Sequence, residues 1–205
     1  MSEQLKIWQG DFGDAYTERN PVDWRIRMPA FQQMLAGLSI ERVLEVGCNR
    51  GHNLIALAEL LDEDCEIVGL EPNQSAWLLS RDSSPNVGVL RGDVSDLCFR
   101  DRYFDLVFTV GVLIHVSLID LTLAMSELYR VSRRYILAVE YFSESETSIY
   151  YRGHNELLWK RDFLNHFRTQ FPDLNLIRSG VWGSGDGFDN HHWWLLQKPA
   201  EPPKA

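Results

Sequence analysis

Residues 43–51 place an acid and two glycines at the end of a short apolar run, Val-Leu-Glu-Val-Gly-Cys-Asn-Arg-Gly. This order predicts a buried strand that carries Glu45, then a tight turn from Gly47 to Gly51, then a helix. Glycine permits positive φ and lets a ligand approach the backbone closely. Such a strand–turn–helix unit binds nucleotides in doubly wound sheets. Glycine turns also join strands to helices in unrelated proteins, so the interpretation needs support from other residues.

Two later acids follow at the spacing of further strand–helix units. Glu71 ends the apolar run 66–71, Glu-Ile-Val-Gly-Leu-Glu, and Asp93 follows the run 89–91. Ligands of open α/β sheets bind outside the carboxyl ends of the strands, where both acids would lie. Glu71 could accept both hydroxyls of a ribose, and Asp93 could accept an adenine amino group. Each acid alone is typical of a turn or a helix cap, and Asn73 is a candidate cap. The three acids and the glycine turn together favour a nucleoside site.

A dinucleotide site is the main alternative, and the turn argues against it. The fingerprint of hydride-transfer enzymes is G-x-G-x-x-G, whereas the six residues from Gly47 read Gly-Cys-Asn-Arg-Gly-His. Glu45 would repel a pyrophosphate and would suit a ligand that carries a cation. The Tyr-x-x-x-Lys pair of a nucleotide-sugar dehydrogenase or epimerase is also absent from the sequence. A nucleotide-sugar oxidoreductase is therefore the weaker hypothesis.

The pattern Glu-x-Gly-x-x-x-Gly, followed by Glu71 and Asp93, resembles the class I S-adenosylmethionine-dependent methyltransferases. The resemblance implies S-adenosyl-L-methionine as cofactor. Asn49 stands where that family usually has glycine, and asparagine tolerates the left-handed backbone better than most residues. The cofactor-binding residues that the resemblance and the motifs together predict are Trp8, Phe12, Tyr16, Arg19, Glu45, Gly47, Cys48, Asn49, Gly51, Glu71, Pro72, Asp93, Val94, Val110 and Gly111.

The elements that would position these residues alternate between strands and helices. Such alternation predicts a mostly parallel sheet covered on both faces. The last two strands are joined by the short loop 183–190, which predicts a hairpin and hence one reversed strand. The expected fold is α/β, a Rossmann-like doubly wound seven-stranded sheet with a reversed final strand. We expect helices at 22–38, 52–62, 74–82, 118–131 and 161–171, and strands at 42–46, 66–71, 87–91, 104–110, 135–140, 174–182 and 192–197, with an irregular stretch at about 141–160.

Composition agrees with a compact enzyme. The 205 residues predict a single domain over 1–205, and 45% hydrophobic with 24% charged residues is ordinary for a globular protein. A net charge of −9 without basic runs argues against nucleic acid. We find no signal pattern and no apolar stretch of membrane-spanning length, and we expect no membrane association. Three cysteines without metal-ligand spacing predict no metal site and a cytoplasmic protein.

Both ends of the chain add more specific motifs. Residues 8–20 read W-x-G-x-F-G-x-x-Y-x-x-R-N, and residues 151–154 read Tyr-Arg-Gly-His. This ensemble is similar to the pseudaminic acid biosynthesis-associated methylases over nearly the full chain. The resemblance implies a biosynthetic role and leaves the methylated molecule open. We interpret 1–38 as an N-terminal lid and helix, and 142–160 as a substrate-side insertion. Residues 8–20 could equally be a structural staple.

The remaining candidates concern the acceptor. His115 follows a strand end and Glu140 ends another, so either could act as a base. The Tyr-Arg-Gly-His segment predicts a pocket for an anionic ligand. Lys160-Arg161-Asp162 is interpreted as a charge cluster at a helix start. The predicted function is methyl transfer to nitrogen or oxygen of a small polar, anionic acceptor, and the alternative is a catalytically silent S-adenosylmethionine-binding module. Oligomeric state is left open. The predicted substrate-binding residues are Tyr141, Tyr151, Arg152, His154 and Asn155.

Overall fold

The computed structural model describes residues 2–83 and 87–200. Its strands are β1 (Arg42–Val46), β2 (Glu66–Glu71), β3 (Gly88–Arg91), β4 (Phe104–Val110), β5 (Ser132–Glu140), β6 (Thr147–Tyr151), β7 (His154–Lys160), β8 (Asn175–Trp182) and β9 (His191–Gln197). Its helices are α1 (Glu3–Gln9), α2 (Asp11–Arg19), α3 (Trp24–Leu35), α4 (His52–Ala58), α5 (Gln74–Ser83), α6 (Leu118–Val131) and α7 (Phe163–Gln170).

Seven strands form one sheet in the order β3-β2-β1-β4-β5-β9-β8. Strand β9 pairs antiparallel with both β5 and β8, while the other neighbouring pairs are parallel. The predicted fold class, a mostly parallel seven-stranded α/β sheet with a reversed final strand, is confirmed. The chain runs from β1 outward through β2 to β3 and then returns to β4 on the other side of β1. This reversal opens a crevice at the carboxyl ends of β1 and β4.

The sheet is buried on both faces, which explains why its central strands are apolar without alternation. Leu44 and Val107 pack in a core cluster with α6 and α7, and Val43 and Phe108 pack in a second cluster with α3 and α4. The two layers of helices hold the strands in a fixed position, so the loops at the carboxyl edge rest on a rigid support.

Most predicted elements are observed within a few residues of their expected limits. The helix expected over 52–62 is the exception among them, because α4 ends at Ala58. Residues 8–20, called the leader below, were not among the expected helices, yet they lie in two short helices. Helix α1 begins at a Ser2 cap that accepts the Leu5 N–H, and Gly10 separates α1 from α2.

The stretch expected to be irregular contains a second, two-stranded sheet. Strands β6 and β7 form an antiparallel hairpin in which Tyr151 pairs with His154. The two turn residues, Arg152 and Gly153, have φ of 49° and 95°. Positive φ at both central residues is the geometry of a tight two-residue hairpin turn, which suits the right-handed twist of the strands. The Tyr-Arg-Gly-His motif is therefore a hairpin tip.

Candidate functional site

The glycine turn after β1 has the left-handed backbone that its sequence predicts. Gly47, Asn49 and Gly51 have φ of 78°, 45° and 75°. The N–H groups of Gly47 and Cys48 both donate to the Leu70 carbonyl, which ties the turn to β2. A Cβ at Gly47 would lie 2.5 Å from the Val112 side chain, so the turn closely approaches the loop after β4. Asn49 replaces glycine without changing the form of the turn.

Glu71 connects the turn after β1 with the start of α5. Its Oε2 accepts the Asn49 N–H at 2.8 Å, and its Oε1 accepts the Asn73 N–H at 2.8 Å. Asn73 caps α5 as predicted, because its Oδ1 accepts the Ala76 N–H. Burial raises the pKa of Glu71 to about 7, although the hydrogen bonds from the two backbone N–H groups lower it. Each carboxylate oxygen has a second lone pair that can accept a hydroxyl.

Glu45 is a buried carboxyl group with one unmatched oxygen. Its Oε1 accepts from Asn53 Nδ2 at 2.6 Å, and Asn53 Oδ1 accepts from Arg27 at 2.7 Å. Its Oε2 is buried and has no hydrogen-bond partner within 2–83 and 87–200. Burial raises the pKa of Glu45 to about 8, while Asn53 and Arg27 oppose the shift. A cationic ligand at Oε2 would restore the charged form.

The leader helices rest directly on the loops after β1 and β2. Asn73 Nδ2 donates to the Trp8 carbonyl at 3.1 Å and to Asp14 at 2.9 Å. Asn49 Nδ2 donates to Thr17 Oγ1 at 3.0 Å. At Gly13 a Cβ would lie 1.9 Å from the Trp8 carbonyl oxygen, so only glycine permits this contact between α1 and α2. The leader therefore covers the carboxyl edge of the sheet.

Aromatic side chains of the leader form a cluster above this edge. The Trp8 ring meets Phe12 at 5.2 Å and Tyr16 at 5.1 Å, both edge to face, and the Arg19 guanidinium lies over both partner rings. Trp8 Nε1 and Arg19 Nε and Nη2 are buried donors without a partner among the described residues. Unmatched buried donors are costly, and a ligand with acceptor groups would satisfy them.

The predicted adenine-side residues lie beyond β3. Asp93 is half-buried, and its Oδ1 accepts from both the backbone N–H and the hydroxyl of Ser95. Val94 packs against the core, and the Pro72 carbonyl accepts from Arg91 at 3.1 Å. Asp93 is thereby oriented as a turn residue, with its second oxygen available to a ligand. Cys48 is buried against Gly69 and serves as a small residue in the turn.

His115 lies in a short 3₁₀ turn after β4, and its tautomer follows from one contact. Its Nδ1 is 2.6 Å from the Leu157 carbonyl, so Nδ1 carries the proton and Nε2 is a free acceptor. Burial lowers the pKa of His115 to about 4. The ring packs on Trp8 at 4.4 Å and lies 5.8 Å from Tyr151. His115 is thus a neutral imidazole between the leader and the hairpin.

Glu140 has a structural role, which corrects its interpretation as a base. The carboxylate is fully buried and accepts from Thr109 Oγ1 at 2.8 Å. It also accepts the backbone N–H groups of Val112, Leu113 and Ile114 at 3.1 to 3.3 Å. Four donors leave no room for an acceptor molecule. Glu140 instead fixes the turn that carries His115.

His191 was not among the sequence candidates, yet it lies next to the end of β4. A Cβ at Gly111 would be 3.5 Å from its Nε2. Its Nδ1 accepts the Asp189 N–H at 3.1 Å, so the ring proton is on Nε2. Burial lowers its pKa to about 4, and the ring stacks on Tyr141 at 4.5 Å. No local motif marks His191, because the reversed strand β9 brings it to this edge.

The five predicted substrate residues separate into three groups. Tyr141 and Tyr151 line a cavity between the hairpin and the loop before β9. His154 packs edge to face on Phe12 at 5.2 Å, beside the leader. Arg152 and Asn155 are exposed near the hairpin tip. Arg152 lies in the hairpin turn and is not among the residues that line this cavity, so its role as a substrate-binding residue stays a prediction.

Part of the chain is similar to known methyltransferases. Residues 43–134 match the protein-family model described as a methyltransferase domain, which is less than half of the chain. An uncharacterized methyltransferase of Schizosaccharomyces pombe is 30% identical over 104 residues, which cover 45% of this chain and 36% of that protein. The chain therefore spans about a third of the curated relative that it matches.

Two solved structures show the same fold. One is phosphoethanolamine N-methyltransferase 1 of Haemonchus contortus in complex with phosphoethanolamine and S-adenosylhomocysteine, with a TM-score of 0.75, 16% identity and coverage of 100% of this chain and 51% of that one. The other is an S-adenosylmethionine-dependent methyltransferase of Methanosarcina mazei, with a TM-score of 0.64, 16% identity and coverage of 84% and 98%. At these identities the likeness concerns the fold.

Residues 43–134 therefore resemble a methyltransferase domain, and the sheet has the fold of solved methyltransferases. The charges of S-adenosylmethionine would fit the unmatched groups of the site. Its amino acid tail carries an ammonium and a carboxylate, and the buried atoms without a partner among the described residues include Glu45 Oε2 and the Nε and Nη2 of Arg19. In the part of the chain that the structure describes, no helix is long and apolar enough to cross a membrane, and no cluster of side chains is arranged to hold a metal ion.

Proposed function

We propose that this protein transfers a methyl group from S-adenosylmethionine to nitrogen or oxygen of a small polar, anionic acceptor, such as an acidic sugar, a sugar nucleotide or an amino-acid-like metabolite. One observation carries the proposal. The glycine turn after β1 is bordered by an unmatched buried carboxyl oxygen on Glu45, and the leader carries an unmatched buried guanidinium on Arg19. A ligand with an ammonium and a carboxylate satisfies both.

The other cofactor contacts of the proposal follow from the loops. Glu71 would hold the ribose hydroxyls, because its carboxylate is fixed by two backbone N–H groups at the end of β2. Asp93 and Val94 would hold the adenine beyond β3. Val110 and Gly111 would border the reactive end of the cofactor, because they end β4 beside the glycine turn. Trp8, Phe12 and Tyr16 would close over the ligand from the leader side.

Methyl transfer from S-adenosylmethionine needs little activation by the protein, because the methyl group is bonded to a cationic sulfur. The protein then has to align a nucleophile and exclude water. For a hydroxyl acceptor, His115 Nε2 would take the proton, since its lone pair is free and the imidazole is neutral. For an amine acceptor, deprotonation and desolvation would suffice. His191 would donate its Nε2 proton to an acceptor oxygen and so orient it.

Two observations support a small anionic acceptor. The resemblance to pseudaminic acid biosynthesis-associated methylases indicates an acidic sugar or a related conjugate. The Haemonchus contortus neighbour was solved with phosphoethanolamine, which indicates that this fold accommodates a small anionic acceptor. A macromolecular acceptor fits less well, because the chain carries a net charge of −9 and no basic run.

The proposal is tested by incubating the protein with S-adenosylmethionine and a panel of small hydroxy acids, sugar nucleotides and amino acids. Mass spectrometry should detect the mass gain of one methyl group on an acceptor and the appearance of S-adenosylhomocysteine. The Glu71→Ala variant should give weaker signals for both products at S-adenosylmethionine concentrations that do not saturate it. Tight cofactor binding without any methylated product across the panel would favour the silent binding module.

A further inference from the structure

A cavity of about 320 Å³ lies between the β6–β7 hairpin and the loop before β9. Its volume is in the range of small-ligand pockets. Its lining combines aromatic rings and aliphatic side chains with a few polar groups, which is the usual composition of such a pocket. The lining residues are Tyr141, Phe142, Ile149, Tyr151, Leu158, Lys160, Asp189, Asn190 and His192.

Lys160 supplies a cation to this cavity. Its ammonium lies 5.3 Å from the centroid of the Tyr141 ring, and it forms no ion pair with any carboxylate of the described residues. Its neighbour Arg161 behaves differently, because it is buried and paired with Glu146 at 2.7 Å. The three residues predicted as a charge cluster at a helix start do precede α7, and Asp162 caps that helix. In an acidic chain, an unpaired half-buried cation in a pocket favours an anionic ligand.

The cavity lining also contains an oriented carboxylate. Asp189 Oδ2 accepts the Tyr141 hydroxyl at 2.7 Å. Beside it, the Phe142 ring stacks on His192 at 4.7 Å with an angle of 27° between the planes. Flat aromatic faces suit the C–H face of a sugar ring, and the Asp189 carboxylate can accept hydroxyl groups. These groups together match a polyhydroxylated acid.

The cavity adjoins the reacting edge of the sheet through its two tyrosines. Tyr141 stacks on His191 at 4.5 Å, and His191 Nε2 faces Gly111. Tyr151 lies 5.8 Å from His115. Each histidine therefore contacts one tyrosine of the cavity lining.

We propose that this cavity is the acceptor site, that Lys160 binds the acid group of a sugar-like acceptor, and that Asp189 binds its hydroxyls. The assignment rests on the proposed function. It makes Lys160, and not Arg152, the residue that selects an anion, because Arg152 is exposed at the hairpin turn. The acid group is a carboxylate or a phosphate.

Binding of matched probes tests the assignment directly. D-glucuronate, D-glucose 6-phosphate and neutral D-glucose are titrated into the protein saturated with S-adenosylhomocysteine, and affinities are measured by ligand-observed NMR. The wild type should prefer one acid over glucose, and the preferred acid identifies carboxylate or phosphate. Lys160→Met should weaken binding of that acid at least about tenfold and leave glucose unchanged. Lys160→Arg should retain the preference, and Arg152→Met should change it less than about twofold.

The result would overturn the assignment if the wild type showed no preference for an acid, if Lys160→Met kept the preference, or if Arg152→Met removed it. S-adenosylhomocysteine affinity of each variant serves as a control for folding and should equal that of the wild type. The same titrations without S-adenosylhomocysteine distinguish a failure of the anion-site assignment from a failure of the proposed function. An acid preference that depends on Lys160 in a protein that does not bind S-adenosylhomocysteine would support the anion site and refute the proposed function.

Discussion

His115 and His191 carry their ring protons on opposite nitrogens. The Leu157 carbonyl holds the proton of His115 on Nδ1, and the Asp189 N–H holds that of His191 on Nε2. Both rings are neutral, because burial lowers both pKa values to about 4. One Nε2 therefore accepts a hydrogen bond and the other donates one. A hydroxyl group needs this pair of partners if it is to be oriented and deprotonated.

His115→Gln should lower kcat by about 10²- to 10⁴-fold for a hydroxyl acceptor, because it removes the proposed base. The kcat of the wild type should stay constant from neutral pH down to about 5 and fall only near pH 4, where His115 is protonated. Steady-state kinetics between pH 3.5 and 8 measure both effects. His166→Gln, on α7, is the control and should retain wild-type kcat. Full turnover by His115→Gln would exclude it as the base.

Glu71→Ala should weaken S-adenosylhomocysteine binding by roughly 1–3 kcal/mol, because it removes a hydrogen-bonded carboxylate. Asp93→Ala should have an effect in the same range and not exceed that of Glu71→Ala, since Glu71 also holds the Asn49 and Asn73 N–H groups. Calorimetry on folded variants measures the affinities. Glu66→Ala, at the exposed start of the same strand, should bind as the wild type. Wild-type affinity in both test variants would refute the role of the strand-end acids.

Gly13→Ala should detach the leader from Asn73, because its Cβ would lie 1.9 Å from the Trp8 carbonyl oxygen. We expect faster hydrogen exchange over residues 8–20 and weaker S-adenosylhomocysteine binding. Gly10→Ala is a matched control, since a Cβ there has its nearest contact at 3.5 Å. In the wild type, the cofactor product should slow exchange of the leader further. Equal protection with and without it would indicate a structural staple and no lid.

The free energy of unfolding should fall as pH rises from about 6.5 to 8. Burial raises the pKa of Glu45 to about 8 and those of Glu71 and Glu140 to about 7, so the native state binds more protons than the unfolded state above pH 4.5. The two histidines act in the opposite direction only below about pH 6.5, where the unfolded state is protonated and the native state is neutral.

Urea unfolding at several pH values measures this slope, and each proton contributes up to about 1.4 kcal/mol per pH unit. Glu45→Gln removes one buried titrating carboxyl. The slope should therefore become shallower by up to about 1.4 kcal/mol per pH unit between pH 6.5 and 7.5. Glu66→Gln, at an exposed position, should leave the slope unchanged. A slope of zero in the wild type, or one that Glu45→Gln leaves intact, would contradict the burial argument.

The fold was predictable because its signals are local. Apolar runs without alternation indicate strands buried on both faces, and Asn49 and Asn73 have the turn and cap roles that their types favour. The hairpin β6–β7 was missed, since β6 is short and largely exposed and the turn signal is a single glycine. The leader helices were missed because glycine and aromatic residues are weak helix formers, and packing on Asn49 and Asn73 stabilises them instead.

The candidate site was predictable only in part. Strand-end acids follow from chain order, but His191 and Lys160 reach the site through the reversed strand and through a hairpin that folds back. Glu140 is the opposite case, a residue that the sequence marks as a candidate for chemistry and that has a structural role. Its position at a strand end predicts chemistry, and only the three-dimensional arrangement shows that four donors occupy its carboxylate.

The docking of α2 on Asn49 and Asn73 would also have a kinetic consequence if residues 8–20 act as a lid. The same two side chains that orient the loops would then have to release the helix whenever a spent cofactor is exchanged for a fresh one. The frequency of this release would set an upper limit on the number of catalytic cycles per second, whatever the reactivity of the acceptor. An acceptor bound before the helix closes would be committed to reaction, and slow reopening would produce a burst of product in the first cycle.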